Sequence, residues 1–287
     1  MTPFEQVFFY ATMALYVLGA LLFTYEFLRQ KETKDQEGKS TQSVAAMVTA
    51  VGFLAHTIAL LLRCYVTGYA PMTNMYESLS FFSWCTVGTL FIVRRWMALP
   101  FISAFTAPLY VVLIALAYFF SPQRVPTLVP ALQSWLLPAH VMLAFMGEAW
   151  FVLGFAAAVM YLVRIGQEET NREEGFILKR LPSAEVLDTF SYRAISLGYP
   201  LFTFGALVLG MVWAHKAWGR YWGWDPKEVW ALITFFVYSL YLHGRYRWGW
   251  RGKVSAYLAV VGFAVTMFTL FGVNLLLSGL HSYATGG

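Results

Sequence analysis

Seven of the eleven tryptophans fall between Trp213 and Trp250, and the densest run is Trp218-Gly-Arg-Tyr-Trp222-Gly-Trp224-Asp-Pro-Lys-Glu-Val-Trp230. Flat indoles interleaved with Gly219 and Gly223 present ring faces to a planar ligand and let it approach the backbone. Lys216, Arg220 and Lys227 lie in the same stretch and are suited to pairing with carboxylates. Histidines flank it, and two imidazoles can hold one iron from opposite sides. A heme, planar and bearing two propionates, is one ligand of this kind. The competing reading is an interfacial belt of aromatic anchors, but a belt scatters its rings over many helix ends. Here Trp213, Trp218, Tyr221, Trp222, Trp224 and Trp230 crowd into 18 residues.

The histidines divide by position. His140 opens an apolar stretch after Leu137-Pro138-Ala139, and His281 follows another in Gly279-Leu-His281-Ser-Tyr, so both are placed at one membrane surface beside the tryptophan segment. His243 and His56 fall inside apolar spans, where ionisable groups are costly and tend to be functional. Their expected depths from that surface are about 21 Å and about 10 Å at the helical rise, a mismatch for sharing one metal. Each is either a ligand or, for His243, an interfacial residue beside Gly244-Arg245. His215, in Trp213-Ala-His215, is read as a lining residue. Cys64 and Cys85 form no Cys-x-x-Cys pair, so thiol–disulfide exchange by this chain is not expected.

The elements that must position these groups are membrane helices. Hydrophobic residues make up 59% of 287 and charged residues 12%, and the mean hydropathy is +0.58. A soluble domain carries about twice that charged fraction. Runs such as Ala104–Phe120 and Ala256–Leu277 demand spanning helices of roughly 20 residues. The expected fold is an all-α polytopic membrane protein with about eight transmembrane helices, at 6–28, 43–63, 79–94, 99–119, 139–163, 196–214, 229–244 and 254–277. One domain fills 1–287, with segment 213–230 between spans 6 and 7. The stretch after Pro182-Ser183 has amphipathic spacing and is read either as a helix on the membrane surface or as an anchor for span 6. Within the tryptophan segment, Asp225, Pro226 and Glu228 spell a capping box, so span 7 is expected to start sharply at Asp225.

Fifteen of the twenty Lys and Arg lie in the loops after spans 1, 3, 5 and 7. These loops are therefore expected on the cytoplasmic side and both termini on the extracytoplasmic side. The net charge of +5 follows from this asymmetry and implies no nucleic-acid partner.

The ordered set Gly68-Tyr-Ala-Pro-Met-Thr-Asn-Met-Tyr-Glu77-Ser-Leu, Trp218 to Trp230, Tyr241-Leu-His243-Gly-Arg245, Gly272-Val-Asn274 and Gly279-Leu-His281-Ser-Tyr283 resembles the CcsA family, also called ResC, of system II cytochrome c biogenesis. The resemblance covers nearly the whole chain and includes the family's tryptophan-rich "WWD" segment. It implies a membrane protein that handles heme b as a bound substrate, with a CcsB/ResB-type membrane subunit and an apocytochrome c bearing Cys-x-x-Cys-His as partners. His140 and His281 match the family's axial ligands at the WWD segment, where Trp218, Trp222, Trp224, Asp225, Trp230, Arg220 and Lys227 are expected to hold heme. His243 matches a transmembrane heme ligand whose counterpart belongs to the partner, so His56 then lines the route without ligating iron. His215 departs from the Asn common in relatives. The resemblance places the chain in a bacterial plasma membrane, or a thylakoid membrane if plastid-derived. It leaves open a heme carrier without ligase activity, like the shorter CcmC-type relatives, and a HemX-like protein influencing heme synthesis. An ion transporter is disfavoured, since no broken-helix pair or buried acidic relay stands out in the sequence.

Overall fold

A computed structural model describes residues 1–29, 43–96, 100–120, 133–169, 176 and 178–277, and among them regular structure is all helical. The helices are α1 (Pro3–Arg29), α2 (Val44–Thr67), α3 (Met75–Trp96), α4 (Pro100–Phe119), α5 (Leu136–Glu168), α6 (Ala184–Phe202), α7 (Gly210–Trp218), α8 (Pro226–Arg247), α9 (Lys253–Met267) and α10 (Val273–Leu276). Among the described residues six helical stretches are long and apolar enough to cross a membrane: Pro3–Arg29, Val44–Thr67, Phe101–Phe119, Leu136–Glu168, Ala184–Trp218 and Lys253–Leu276. The chain packs as two compact units, one from residues 1–127 and 164–183, the other from 128–163 and 184–287.

In the first unit, α1 and α2 approach closely because each offers a glycine. A Cβ on Gly19 would collide with the Thr49 hydroxyl, and one on Gly52 would lie 2.9 Å from the Tyr16 ring, the small-residue packing that membrane helices favour. Helix α3 is less apolar, yet Glu77, Ser78, Ser80, Ser83 and Thr86 are all buried. Their partners are internal. Ser83 donates to the Tyr110 carbonyl at 2.9 Å. Arg63 donates from Nε to Glu77 at 2.9 Å and pairs from Nη2 at 2.8 Å. Thr73 donates to the other Glu77 oxygen from both its amide and its hydroxyl. An internal polar face of this kind explains why hydropathy alone does not pick α3 out.

In the second unit, the amphipathic stretch after Ser183 is the first part of α6, one continuous helix from Ala184 to Phe202. Pro200 lies inside α6. Without an N–H it breaks the hydrogen-bond ladder, and seven residues, Thr203–Leu209, follow as a π-helical turn before α7 resumes. A second π turn, Phe268–Gly272, joins α9 to α10. Helices α5 and α6 cross on glycines: a Cβ on Gly147 would lie 2.8 Å from the Gly198 carbonyl, and one on Gly198 would lie 2.6 Å from the Gly147 carbonyl. Ser191 then donates to the Gly154 carbonyl at 2.9 Å. Farther along, Arg245 pairs with Asp188 at 2.7 Å, and Asp188 also accepts the Gly252 amide at 3.1 Å.

Candidate functional site

The tryptophan segment is a turn built between two helix ends. Gly219 closes α7 in the left-handed conformation, φ +74°, with its amide donating to the His215 carbonyl, as a C-terminal glycine does. Asp225 then caps α8 by accepting the Lys227 amide at 3.0 Å. Glu228 reaches back to the Asp225 amide at 3.2 Å and to the Gly223 amide at 2.7 Å. The expected capping box is present, and the additional bond to Gly223 ties down one more residue of the turn. Between them Trp224 is held at φ +56°, a left-handed backbone that costs a non-glycine residue roughly 1–2 kcal/mol. Its ring is 74% exposed, whereas Asp225 beside it is only 6% exposed. Arg220 passes over Gly223, where a Cβ would lie 2.8 Å from its Nε.

The indoles do not form one flat shelf. Trp213 is 1% exposed and lies parallel to the His140 imidazole, centroids 6.1 Å apart and planes 2° apart. Trp218 meets Trp213 edge-on at 6.0 Å, and both pack with Leu136 and Leu137. Trp222 and Trp224 meet edge-to-face at 5.9 Å. Trp230 turns instead toward Phe268, 4.2 Å away in the second π turn. His215, exposed, stacks on Tyr221 at 4.2 Å.

His140 is the histidine that the fold prepares most fully. Its Nδ1 lies 2.8 Å from the Gly205 carbonyl. That carbonyl belongs to the π turn and also accepts the Gly210 amide. A carbonyl only accepts, so Nδ1 carries the proton in this bond, and Nε2 is the nitrogen on the opposite side of the ring. A histidine oriented by a backbone carbonyl through one nitrogen is the usual arrangement of a metal ligand that binds through the other. Two glycines make room for it. A Cβ on Gly205 would collide with the Ala144 backbone nitrogen, and one on Gly210 would lie 3.2 Å from the imidazole Cε1.

The other expected ligands are placed differently. His281 lies outside the described residues. His56 is fully buried and held through both nitrogens, Nδ1 to the Tyr16 hydroxyl at 3.2 Å and Nε2 to the Ser80 hydroxyl at 2.9 Å. His243 is exposed near the far end of α8, edge-on to Trp248 at 4.8 Å. It stands about 24 Å along the helix from Lys227. Lys227 is turned inward, its Nζ donating to Asn274 Oδ1 at 3.1 Å. Arg220 remains exposed at the turn.

Three features escaped the sequence reading. Glu148 is a buried carboxylate on α5; its signal was a lone charge inside an apolar span. Gly205 and Gly210 shape the His140 seat, and their signal was small-residue spacing close behind a proline. Asn274 was noticed only as part of a motif, and its partner lies 47 residues away.

A polytopic helical membrane protein with a capped, aromatic-rich turn beside an oriented histidine is the class that this fold and site define. The Cytochrome C assembly protein family model matches residues 72–281, and the chain belongs to this family. It is 38% identical to Cytochrome c biogenesis protein CcsA of Prochlorococcus marinus (strain NATL2A) over 274 residues, covering 86% of each chain. It is also 38% identical to the protein of that name in Synechococcus sp. (strain RCC307), covering 94% of each. With that of Guillardia theta the identity is 37%, covering 82% of this chain and 83% of the relative. Among solved structures it resembles Cytochrome c Heme Lyase CcmF with a TM-score of 0.61 at 18% identity, a likeness of fold alone. The match covers 94% of this chain, which spans about half (47%) of the CcmF chain.

Proposed function

We propose that this protein acts in cytochrome c biogenesis by receiving heme b as a substrate and presenting it at segment 213–230 for attachment to apocytochrome c. The observation that carries the reading is the His140 seat: Nδ1–H on the Gly205 carbonyl and the ring parallel to Trp213. His140 and His281 are the axial pair. The exposed Trp224, with Trp222 edge-on to it, covers the porphyrin face, and Arg220 pairs with a propionate. Lys227 and Trp230 hold the start of α8 in place through Asn274 and Phe268. Asp225 fixes the turn through its cap.

Two cysteine thiols of the Cys-x-x-Cys-His substrate add to the heme vinyl groups. Each sulfur bonds to the ring-proximal vinyl carbon and a proton goes to the distal one, so the step consumes no electrons. The histidine of that substrate segment displaces one of the two ligands supplied by this chain. No cysteine of this chain is required, in keeping with the absence of a Cys-x-x-Cys pair.

Helices α3 and α8, 22 residues each, are about 33 Å long. They complete eight spans, with both termini on the extracytoplasmic side of a bacterial plasma membrane or a thylakoid membrane. His243 then lies toward the cytoplasmic side, exposed, in a position to share an incoming heme with a CcsB/ResB-type subunit. His56, saturated by Tyr16 and Ser80, serves the packing of its own unit.

The test is the absorption spectrum of the detergent-purified chain beside the His140→Ala/His281→Ala double variant. A low-spin bis-histidine spectrum in the first, lost or shifted in the second, supports the reading. No heme in the wild type, even with the partner subunit co-expressed, overturns it.

A further inference from the structure

Glu148 has no part in the function proposed above. It sits on α5 two turns beyond His140, about 12 Å along the helix, and is 7% exposed. Its Oε2 has no hydrogen-bond partner among the described residues. The groups that act on it electrostatically are Lys227 and Tyr238, both on α8. Lys227 directs a hydrogen bond to Asn274, so the carboxylate faces a cation that is partly committed elsewhere. Buried carboxylates are costly unless paired and hydrogen-bonded, and an acidic group at membrane depth is a functional-site candidate on that ground.

Glu148 is also not isolated. Tyr238 and Tyr241, both buried on α8, have the Thr266 and Ser191 hydroxyls as side-chain neighbours. Tyr241 in turn interacts electrostatically with Arg245 and Asp188, the ion pair near the far end of α8. Lys227, Tyr238, Tyr241 and Arg245 are spaced by 11, 3 and 4 residues, which keeps them on one helix face.

We propose that Glu148 is a proton-binding site and that it takes up a proton when iron held at His140 is reduced. This rests on the heme reading above. The step balances: ferric iron gains one electron from a one-electron donor and becomes ferrous, while the Glu148 carboxylate gains one proton and becomes the neutral acid. The net charge of the site is unchanged, which lets iron change oxidation state in a region of low dielectric without leaving an uncompensated charge.

The experiment has two arms on the full-length purified chain. In the first, the heme is titrated potentiometrically across pH in wild type and in Glu148→Gln. The expected midpoint potential falls as pH rises in the wild type, toward one proton per electron, and loses most of that slope in the variant while the absorption spectrum is unchanged. No slope in the wild type, or an equal slope in the variant, overturns the coupling. The second arm is an infrared pH titration of the heme-free chain. A protonated-carboxyl band that titrates in wild type and is missing from Glu148→Gln supports the proton site even if no heme is bound, in which case only the heme reading fails. No such band overturns the site.

Discussion

His56 and His140 are the same side chain in two settings. His56 sits in the first unit between two side-chain hydroxyls, Tyr16 on one nitrogen and Ser80 on the other, with nothing left for a metal. His140 sits in the second unit against the Gly205 carbonyl of a π turn, an acceptor that fixes the orientation of the ring through Nδ1. A buried, doubly hydrogen-bonded imidazole stabilises the packing of its helices. An imidazole oriented through one nitrogen is prepared for chemistry at the other. The difference lies in the partners, and both sets of partners are distant in sequence: Ser80 is 24 residues from His56, and Gly205 is 65 from His140.

The most severe way to break the comparison is to fill the His140 seat. Gly205→Val drives side-chain carbons into the Ala144 backbone, and overpacking of this kind costs about 1–3 kcal/mol or more. The expected result is loss of bound heme together with a lowered thermal midpoint in detergent. Next come the histidines. His56→Ala leaves a cavity and strips Tyr16 and Ser80 of a shared partner, a loss of about 2–4 kcal/mol read in thermal unfolding. The heme spectrum of whatever protein remains folded should be unchanged. His140→Ala should do the reverse, removing the low-spin spectrum with little change in stability. If the two variants behave alike, the distinction between them collapses.

Smaller effects sharpen the tryptophan turn. Asp225→Ala removes a cap worth about 1 kcal/mol and loosens the turn that Glu228 also holds, so holocytochrome formation should fall while the protein stays in the membrane. Trp224→Gly relieves the left-handed strain, so stability should hold or rise slightly while heme retention drops. Retention at the wild-type level would remove Trp224 from the heme face. His215→Asn should be nearly silent in both assays, because its stacking partner Tyr221 is exposed beside it.

Against these particulars, the local features were legible and the distant ones were not. Asp225, Pro226 and Glu228 announce a helix start within four residues, and the cap is found there. The apolar runs announce six of the long helices. The expected spans at 79–94 and 229–244 fall within α3, which buries Ser80, Ser83, Thr86 and Thr89, and α8, which buries Thr234, Tyr238 and Tyr241 and exposes His243. Hydropathy has no access to a π turn, however, because a shift from i+4 to i+5 bonding changes no residue type. Pro200 hinted at it, but the consequence for His140 needed the α5–α6 crossing on Gly147 and Gly198. Dense in sequence, the tryptophans do not share one direction in space. In three dimensions Trp213 turns inward to His140 and Trp230 to Phe268, leaving Trp222 and Trp224 at the turn. Lys227 shows the same limit: an expected propionate partner whose ammonium is bonded to Asn274, a contact that no local pattern encodes.

The most direct test of the central claim, that His140 is built to ligate heme iron through Nε2, is imidazole rescue. Purified His140→Ala, reconstituted with heme and the partner subunit, is followed by absorption spectroscopy as free imidazole is added. The account predicts that the low-spin spectrum is lost on substitution and returns on titration with imidazole, which fills the vacated seat. A low-spin spectrum that survives the substitution unchanged, or that His56→Ala removes instead, would contradict it.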